Sequence, residues 1–172
     1  MIRLLAASIL VILGACTFDD VITPTYKSFR ELDAQIASQT DVTAQRMAGT
    51  WYVRQGFADQ PAPDDTIEIR RPNGELLLLE FTRNICIESG CRRVDYSLQY
   101  EQSGPGRWVA SPRVTPILYD RELWVMWMDF DSRTAAIGTP SGEFGWIMDK
   151  NPTGGGDRIT AARDIMDWFG YD

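Results

Sequence analysis

The sequence contains no histidine. This absence excludes a Ser-His-Asp site and a histidine-based zinc site, because histidine is the commonest general base and the commonest metal ligand in proteins. Basic residues are also few, with 17 Lys and Arg against 24 Asp and Glu, for a formal net charge of −7. That balance argues against a phosphate-binding surface, so we expect no nucleic-acid partner.

Long hydrophobic runs are missing as well, apart from one at the N-terminus. Arg3 precedes an apolar stretch over residues 4–13, and the small residues Gly14 and Ala15 follow it. This stretch is too short to cross a hydrocarbon layer of ~30 Å, and small residues before a cleavage point are typical of export signals. The pattern predicts a signal peptide over residues 1–15.

Cysteine is scarce, with three in the chain, and the first of them ends this signal. Leu13-Gly14-Ala15-Cys16 resembles the lipobox of bacterial lipoproteins, which implies acylation of Cys16, with palmitate among the expected chains. Several acyl chains would anchor the protein to a membrane, since each buried methylene contributes ~0.8 kcal/mol. By resemblance to enterobacterial lipoproteins, Thr17 favours the outer membrane facing the periplasm over the inner membrane. Residues 16–25 then form a lipidated tether.

The other two cysteines, Cys86 and Cys91, flank a turn-forming Ser89-Gly90 pair between two extended runs. In an oxidising periplasm we expect them to form a disulfide across a hairpin. A metal site would need further soft ligands, and a redox site would need Cys-x-x-Cys spacing. We therefore expect neither a metal nor a cofactor.

Beyond Gly49 the hydrophobic period shifts toward two, and turn residues interrupt it regularly. The apolar and polar alternation predicts eight antiparallel strands, and so an all-β up-and-down barrel. The segment 113–121 contains Pro116 and fits either a bulged strand or a loop. The predicted strands are 49–58, 65–71, 75–86, 91–101, 106–111, 122–130, 133–139 and 143–150.

Helical periodicity occurs on either side of these strands. Phe29, Leu32 and Ile36 predict helical character between residues 26 and 47, with Asp41 as a possible cap of a second turn. A C-terminal helix is predicted over residues 157–169, with Asp157 as N-cap and Gly170 as its end.

Three blocks carry a family resemblance. Gly49-Thr50-Trp51-Tyr52 resembles the GxW signature of lipocalins, the run 124–130 with Asp129 falls where many members have Thr-Asp-Tyr, and the run from Trp146 to Lys150 falls where bacterial members have Trp-Ile-Leu-Ser-Arg. The chain is similar to bacterial outer-membrane lipoprotein lipocalins, which implies one barrel domain over residues 26–172 with a helix packed outside.

The resemblance also implies structural roles. In the family these motif positions seal the closed end of the barrel, and an arginine packs on the GxW tryptophan; here Lys150 stands in its place and Met128 replaces the usual threonine. The implied structural residues are Gly49, Trp51, Asp129, Trp146 and Lys150.

A barrel of this size is just wide enough for one small ligand. Alternation from an inward Trp51 predicts that Val53, Gln55 and Phe57 line the interior. After Leu123, either Trp124, Met126 and Met128 face inward or Val125 and Trp127 do, and the sequence leaves this parity open. The candidate ligand-binding residues are Val53, Gln55, Phe57, Trp124 and Met126.

These observations favour a binding protein for a small hydrophobic ligand such as a fatty acid or lysophospholipid. The alternative is a filled barrel whose loops bind a protein partner, as lysozyme-inhibiting lipoproteins do, with the acidic loop 61–65 as a candidate surface. Catalysis is the least favoured hypothesis: Glu80 and Asp129 are the only acids within strongly apolar runs, and Asp129 is better explained as a structural acid near a turn.

Overall fold

The computed structural model of the chain describes residues 27–58, 61–87, 90–111 and 121–171. The predicted signal peptide, Cys16, the tether and the segment 112–120 lie outside these ranges.

Eight strands form a closed antiparallel barrel in which each strand pairs with the next and the last pairs with the first. The predicted all-β up-and-down barrel is confirmed, and every predicted strand is present with shifts of a few residues at its ends. The elements are α1 Ala44–Met47, β1 Gly49–Gly56, β2 Thr66–Arg70, β3 Leu77–Ile87, β4 Gly90–Gly104, β5 Arg107–Ala110, β6 Glu122–Met128, β7 Thr134–Gly138, β8 Gly145–Asp149 and α2 Gly156–Trp168.

The two ends of the barrel differ. The closed end carries α1, the β2–β3, β4–β5 and β6–β7 turns, and the segment after β8. We call the opposite end the mouth, where β1, β3, β5 and β7 end and β2, β4, β6 and β8 begin.

Two hydrophobic clusters separate the inside of the barrel from its outside. The inner core takes side chains from all eight strands and lies inside the barrel. The outer core joins one wall of the barrel to α2. Strands β7 and β8 are buried on both faces because α2 covers their outer side, which explains their continuous apolar sequences. The outer core contains Phe57, Met126, Ala136, Ile147, Ala162, Met166 and Tyr171.

The predicted C-terminal helix is confirmed as α2, packed outside the barrel. Its predicted N-cap is wrong, because Gly155 occupies that position and Asp157 lies in the first turn. Gly170 ends the helix with φ of 86°, a left-handed conformation that favours glycine.

The N-terminal helix is far shorter than predicted. Residues 27–43 are not helical, because their backbone groups bond to the barrel and to α2 instead: Phe29 N–H donates to Gly142, and Gln39 N–H donates to Val125. The apolar spacing that suggested a helix does not mark one helical face. Phe29 and Ile36 pack on the outer core, whereas Leu32 is 64% exposed.

The cap of this helix also differs from the prediction. Thr43 caps α1, and Asp41 forms an ion pair with Arg46 at 2.6 Å. Among the described residues, no helix has the length and apolar character that crossing a bilayer requires.

Candidate functional site

The GxW residues close one end of the barrel. Trp51 is fully buried and its indole N–H donates to the Met47 carbonyl at 2.7 Å. Lys150 lies over the Trp51 ring at 4.8 Å and donates to the Ala48 carbonyl at 2.9 Å. Burial lowers the pKa of Lys150, partly offset by Glu68. Lys150 thus supplies the charge that the family's arginine carries, without its planar stacking.

Gly49 opens this strand with φ of 117°, and a Cβ there would lie 3.4 Å from the Lys150 ammonium nitrogen. A glycine at this position therefore satisfies both the backbone conformation and the close approach of the cation.

Two further contacts fasten α1 over the closed end. Glu75 accepts a hydrogen bond from the Ala44 N–H at 2.7 Å, which places its carboxylate at the start of α1. Arg46 reaches the β6–β7 turn, donating to the Asp129 carbonyl at 3.0 Å and to Ser132 Oγ at 2.9 Å.

Asp129 has the structural role that the sequence favoured. Its carboxylate accepts from the N–H groups of Arg133 and Thr134 at 2.6 and 2.7 Å, and its backbone N–H donates to Thr134. These bonds hold the β6–β7 turn, so Asp129 is unsuited to act as a catalytic acid.

A β-bulge in β1 places two of the predicted cavity residues outside the barrel. Val53 pairs with Met148 and belongs to the inner core, as predicted. The register shifts between Val53 and Gln55, so the alternation reverses at this point. Gln55 accepts a hydrogen bond from Arg163 of α2, and Phe57 packs in the outer core. The predicted inward orientation of Gln55 and Phe57 is therefore wrong.

A second bulge, in β6, changes which of its side chains face the interior. The register shifts between Val125 and Trp127, so neither of the two predicted parities holds along the whole strand. Leu123, Val125 and Met128 belong to the inner core. Trp124 and Met126 belong with Trp127 to the cluster beneath α2. Trp124 and Met126 thus lie outside the barrel and are not in a position to line its interior.

Aromatic side chains line the mouth half of the interior. The Phe81 and Tyr96 rings stack with centroids 4.8 Å apart, and Trp146 lies edge-on to Phe81 at 6.5 Å and tilted to Phe144 at 5.4 Å. We define the mouth-side interior as Phe81, Tyr96, Phe144 and Trp146. Of these residues, the sequence motifs pointed only to Trp146.

Solvent reaches this half of the barrel. Tyr96 and Leu98 pack against the inner core from β4 and remain partly exposed. In the closed half, by contrast, Trp51 and Trp108 have no exposed surface. Near the mouth Phe81, Phe144 and Trp146 are also buried, and the Tyr96 ring stacked on Phe81 is partly exposed.

Trp146 differs from its predicted role. It pairs with Gly56 at the mouth end of β1, so it does not seal the closed end. Its side chain is 3% exposed, and its indole N–H is the one buried side-chain polar atom in the described residues without a hydrogen-bond partner.

Charged groups surround the mouth. Arg121 lies 3.5 Å from Glu143 and 6.0 Å from the Phe144 ring centre. Arg83 Nε lies 3.9 Å from the Asp65 carboxylate. Burial raises the pKa of Asp65, opposed by the Ala62 N–H and by Arg83. Asp65 is turned inward and buried, so of the two acids in the predicted acidic loop only Asp64 is exposed.

The predicted disulfide between Cys86 and Cys91 is present. The two cysteines are opposite each other in the β3–β4 register, near the tip of the longest hairpin. β3 pairs with β2 only as far as Thr82, so residues 83–87 pair with β4 alone. The disulfide therefore stabilises a two-stranded arm beside the mouth.

A buried ion pair between α2 and the barrel was not foreseen. Asp149 is fully buried and contacts Arg158 at 2.9 Å and Thr134 Oγ1 at 2.5 Å. Burial alone would raise the pKa of Asp149, but hydrogen bonds from Thr134, Asn151 and Arg158 outweigh it and hold that pKa below its ordinary value. Asp149 ends β8 and Arg158 lies in the first turn of α2. Nothing in the sequence around these two residues indicates that they pair.

Tyr171 attaches the C-terminal end of α2 to the barrel. Its ring lies against Gly138 and Gly145, which face each other across β7 and β8. Its hydroxyl accepts from the Thr139 N–H at 2.8 Å and lies within 3.0 Å of the Thr139 and Phe144 carbonyls. Burial raises the pKa of Tyr171 to about 12.

Glu80 is the remaining acid that the sequence analysis considered for catalysis. It lies on the outer face of β3, where it pairs with Arg70. In the part of the chain that the structure describes, no group of three or more Asp, Glu or Cys residues is placed to hold a metal ion.

The fold is shared with known lipocalins. The solution structure of lipocalin 12 from rat epididymis matches with a TM-score of 0.54 at 11% identity, covering 80% of this chain and 85% of that chain. The siderocalin Ex-FABP, which functions through dual ligand specificities, matches with a TM-score of 0.49 at 12% identity, covering 71% and 81%. No protein-family model and no curated protein matches the sequence. The chain has the lipocalin fold, and the resemblance in its sequence motifs is confirmed at that level.

Proposed function

We propose that this protein is a lipid-anchored bacterial lipocalin that binds a small amphiphile, such as a fatty acid or lysophospholipid, in the mouth-side interior. The observation that carries the proposal is the contrast between the two halves of the barrel. Side chains fill the closed half, whereas in the mouth half the partly exposed Tyr96 stacks on the buried Phe81 beneath a rim that carries Arg83 and Arg121.

Two kinds of interaction would hold such a ligand. The apolar part would be removed from water among the aromatic rings, at ~25 cal/mol per Å² of apolar area. An anionic head would remain at the rim, where guanidinium groups bind carboxylates and phosphates through several N–H donors. The protein would act by sequestration and transfer, without a chemical step.

The anchor proposal rests on the sequence. The lipobox at residues 13–16 would place acyl chains on Cys16, and Thr17 favours the outer membrane, with the domain in the periplasm. Fractionation of cells that produce the wild type or the Cys16→Ser variant tests this. The wild type should remain with the membrane after a salt wash, and the variant should be released in soluble form.

Native mass spectrometry of the exported Cys16→Ser protein tests the binding proposal. We expect an adduct that mild organic extraction removes and that added palmitate or lysophosphatidylcholine restores. A clean protein mass that neither lipid shifts would contradict the proposal.

A further inference from the structure

The buried indole N–H of Trp146 stands apart from the other buried indoles of the inner core. Trp51 donates to Met47 at 2.7 Å and Trp108 donates to Glu75 at 2.8 Å, and both lie in the closed half. Trp146 lies in the mouth half, and none of the described residues offers its N–H an acceptor. A buried donor without a partner is costly, so such a group in a native protein calls for an explanation.

The surroundings of Trp146 determine what an acceptor would have to be. The ring is flanked by Phe81 and Phe144, which offer only apolar surface. Arg121, a donor, lies 6.0 Å from the Phe144 ring centre and pairs with Glu143 at the rim. Since no described residue supplies this acceptor, a molecule that enters between these rings would have to supply it.

We propose that Trp146 Nε1 donates a hydrogen bond to an oxygen in the apolar part of the ligand. This inference rests on the proposed function and narrows its ligand class: the site selects an oxygenated amphiphile, with a carbonyl or hydroxyl along its chain and an anionic head at the rim. A plain saturated chain would bury the same apolar area but leave the N–H without a partner.

The test is a binding series with octadecanoic acid and its mono-keto isomers, in which the carbonyl moves along the chain. The Cys16→Ser protein serves as reference, and Trp146→Phe in that background removes the N–H while it keeps an aromatic ring. We expect one or two adjacent keto positions to bind ~5-fold more tightly than octadecanoic acid in the reference protein. Trp146→Phe should abolish this preference, so that the keto isomers and octadecanoic acid bind with equal affinity.

Trp108→Phe is the matched control, because its indole N–H already has a partner in the closed half. This variant should retain the preference for the same keto positions. A second variant, Trp146→Tyr, guards against a fold defect in Trp146→Phe, because it also lacks an indole N–H. Circular dichroism identifies any variant that fails to fold.

Two outcomes separate this inference from the function on which it rests. If octadecanoic acid and all keto isomers bind the reference protein equally, and Trp146→Phe changes nothing, the inference is wrong while the binding function stands. If no acid in the series binds the reference protein, the proposed function itself is contradicted.

Discussion

We expect substitutions of Trp146 and Trp108 to lower the stability of the protein by different amounts. Trp146→Phe removes a buried donor that has no partner among the described residues, so the relief of its desolvation cost offsets much of the lost volume. Trp108→Phe removes the hydrogen bond to Glu75 and leaves a cavity beside a buried carbonyl. We expect unfolding in urea to show a loss of under ~1 kcal/mol for the first variant and ~2–4 kcal/mol for the second. Equal losses would indicate that the Trp146 N–H has a partner in solution.

Gly145 carries a second prediction, because the Tyr171 ring occupies the space above it. A Cβ at residue 145 would lie 2.6 Å from Tyr171 Cε1 and 2.9 Å from Met166 Cε. We expect Gly145→Ala to destabilise the protein by ~1–3 kcal/mol, since α2 must shift to relieve the overlap.

Gly156→Ala is its control, because a Cβ at that helical position meets nothing within 4 Å. The control should be neutral or slightly stabilising. Thermal unfolding of both variants makes the comparison, and a Gly145→Ala protein as stable as the control would show that Tyr171 does not pack on the barrel wall.

Side-chain parity is the property that the sequence conveyed least well. Alternation from Trp51 correctly placed Val53 in the inner core, but the bulge before Gln55 reversed the pattern for Phe57. A β-bulge is set by hydrogen bonding to the neighbouring strand, and Arg54 carries no local signal for it. The same limitation applied to Met126 in β6, where another bulge placed it outside the barrel.

The strands were more predictable than the N-terminal segment. Apolar alternation and turn residues are local properties, so the eight strands and α2 could be predicted to within a few residues. The segment 27–43 has helical spacing, yet its conformation depends on partners far along the chain. Arg30, for example, is buried and donates to the carbonyls of Phe169 and Pro140, each at 2.9 Å.

The attachment of α2 to the barrel gives a pH-dependent prediction. Asp149 has a pKa below its ordinary value of 3.8, so its carboxylate form is favoured in the folded state. Its contribution to stability is then fully present above that ordinary value and is lost as the pH falls through the lower, folded-state pKa. We expect Asp149→Asn to cost ~2–3 kcal/mol near neutral pH, because it removes the buried carboxylate that accepts hydrogen bonds from Thr134, Asn151 and Arg158.

Chemical unfolding at several pH values measures this difference. The gap between wild type and Asp149→Asn should narrow below pH ~4. Asp157→Asn, which removes the same charge from an exposed residue, should change stability by less than ~1 kcal/mol at any pH. A constant gap across the pH range would contradict the assignment of Asp149 as a buried carboxylate.

The two halves of the barrel differ in how their side chains are held. At the closed end α1, Lys150, Arg46 and Asp129 form a continuous set of hydrogen bonds around Trp51. At the mouth, aromatic rings are held on two stable walls, the disulfide-linked β3–β4 hairpin and the α2-covered β8 strand. Under the proposed function, the ligand would lie among these rings, in the half of the barrel opposite the hydrogen bonds around Trp51.

The six tryptophans distinguish these regions in a single spectrum, because each indole N–H gives its own resonance. Trp51 and Trp108 report the closed half, Trp146 the mouth-side interior, and Trp124, Trp127 and Trp168 the outside of the barrel. The most direct measurement is a ¹H–¹⁵N correlation spectrum of the Cys16→Ser protein during titration with palmitate. We predict a large shift of the Trp146 indole resonance and little change in the other five. Shifts confined to the outer tryptophans, or no shifts at saturating palmitate, would contradict a ligand site in the mouth half of the barrel.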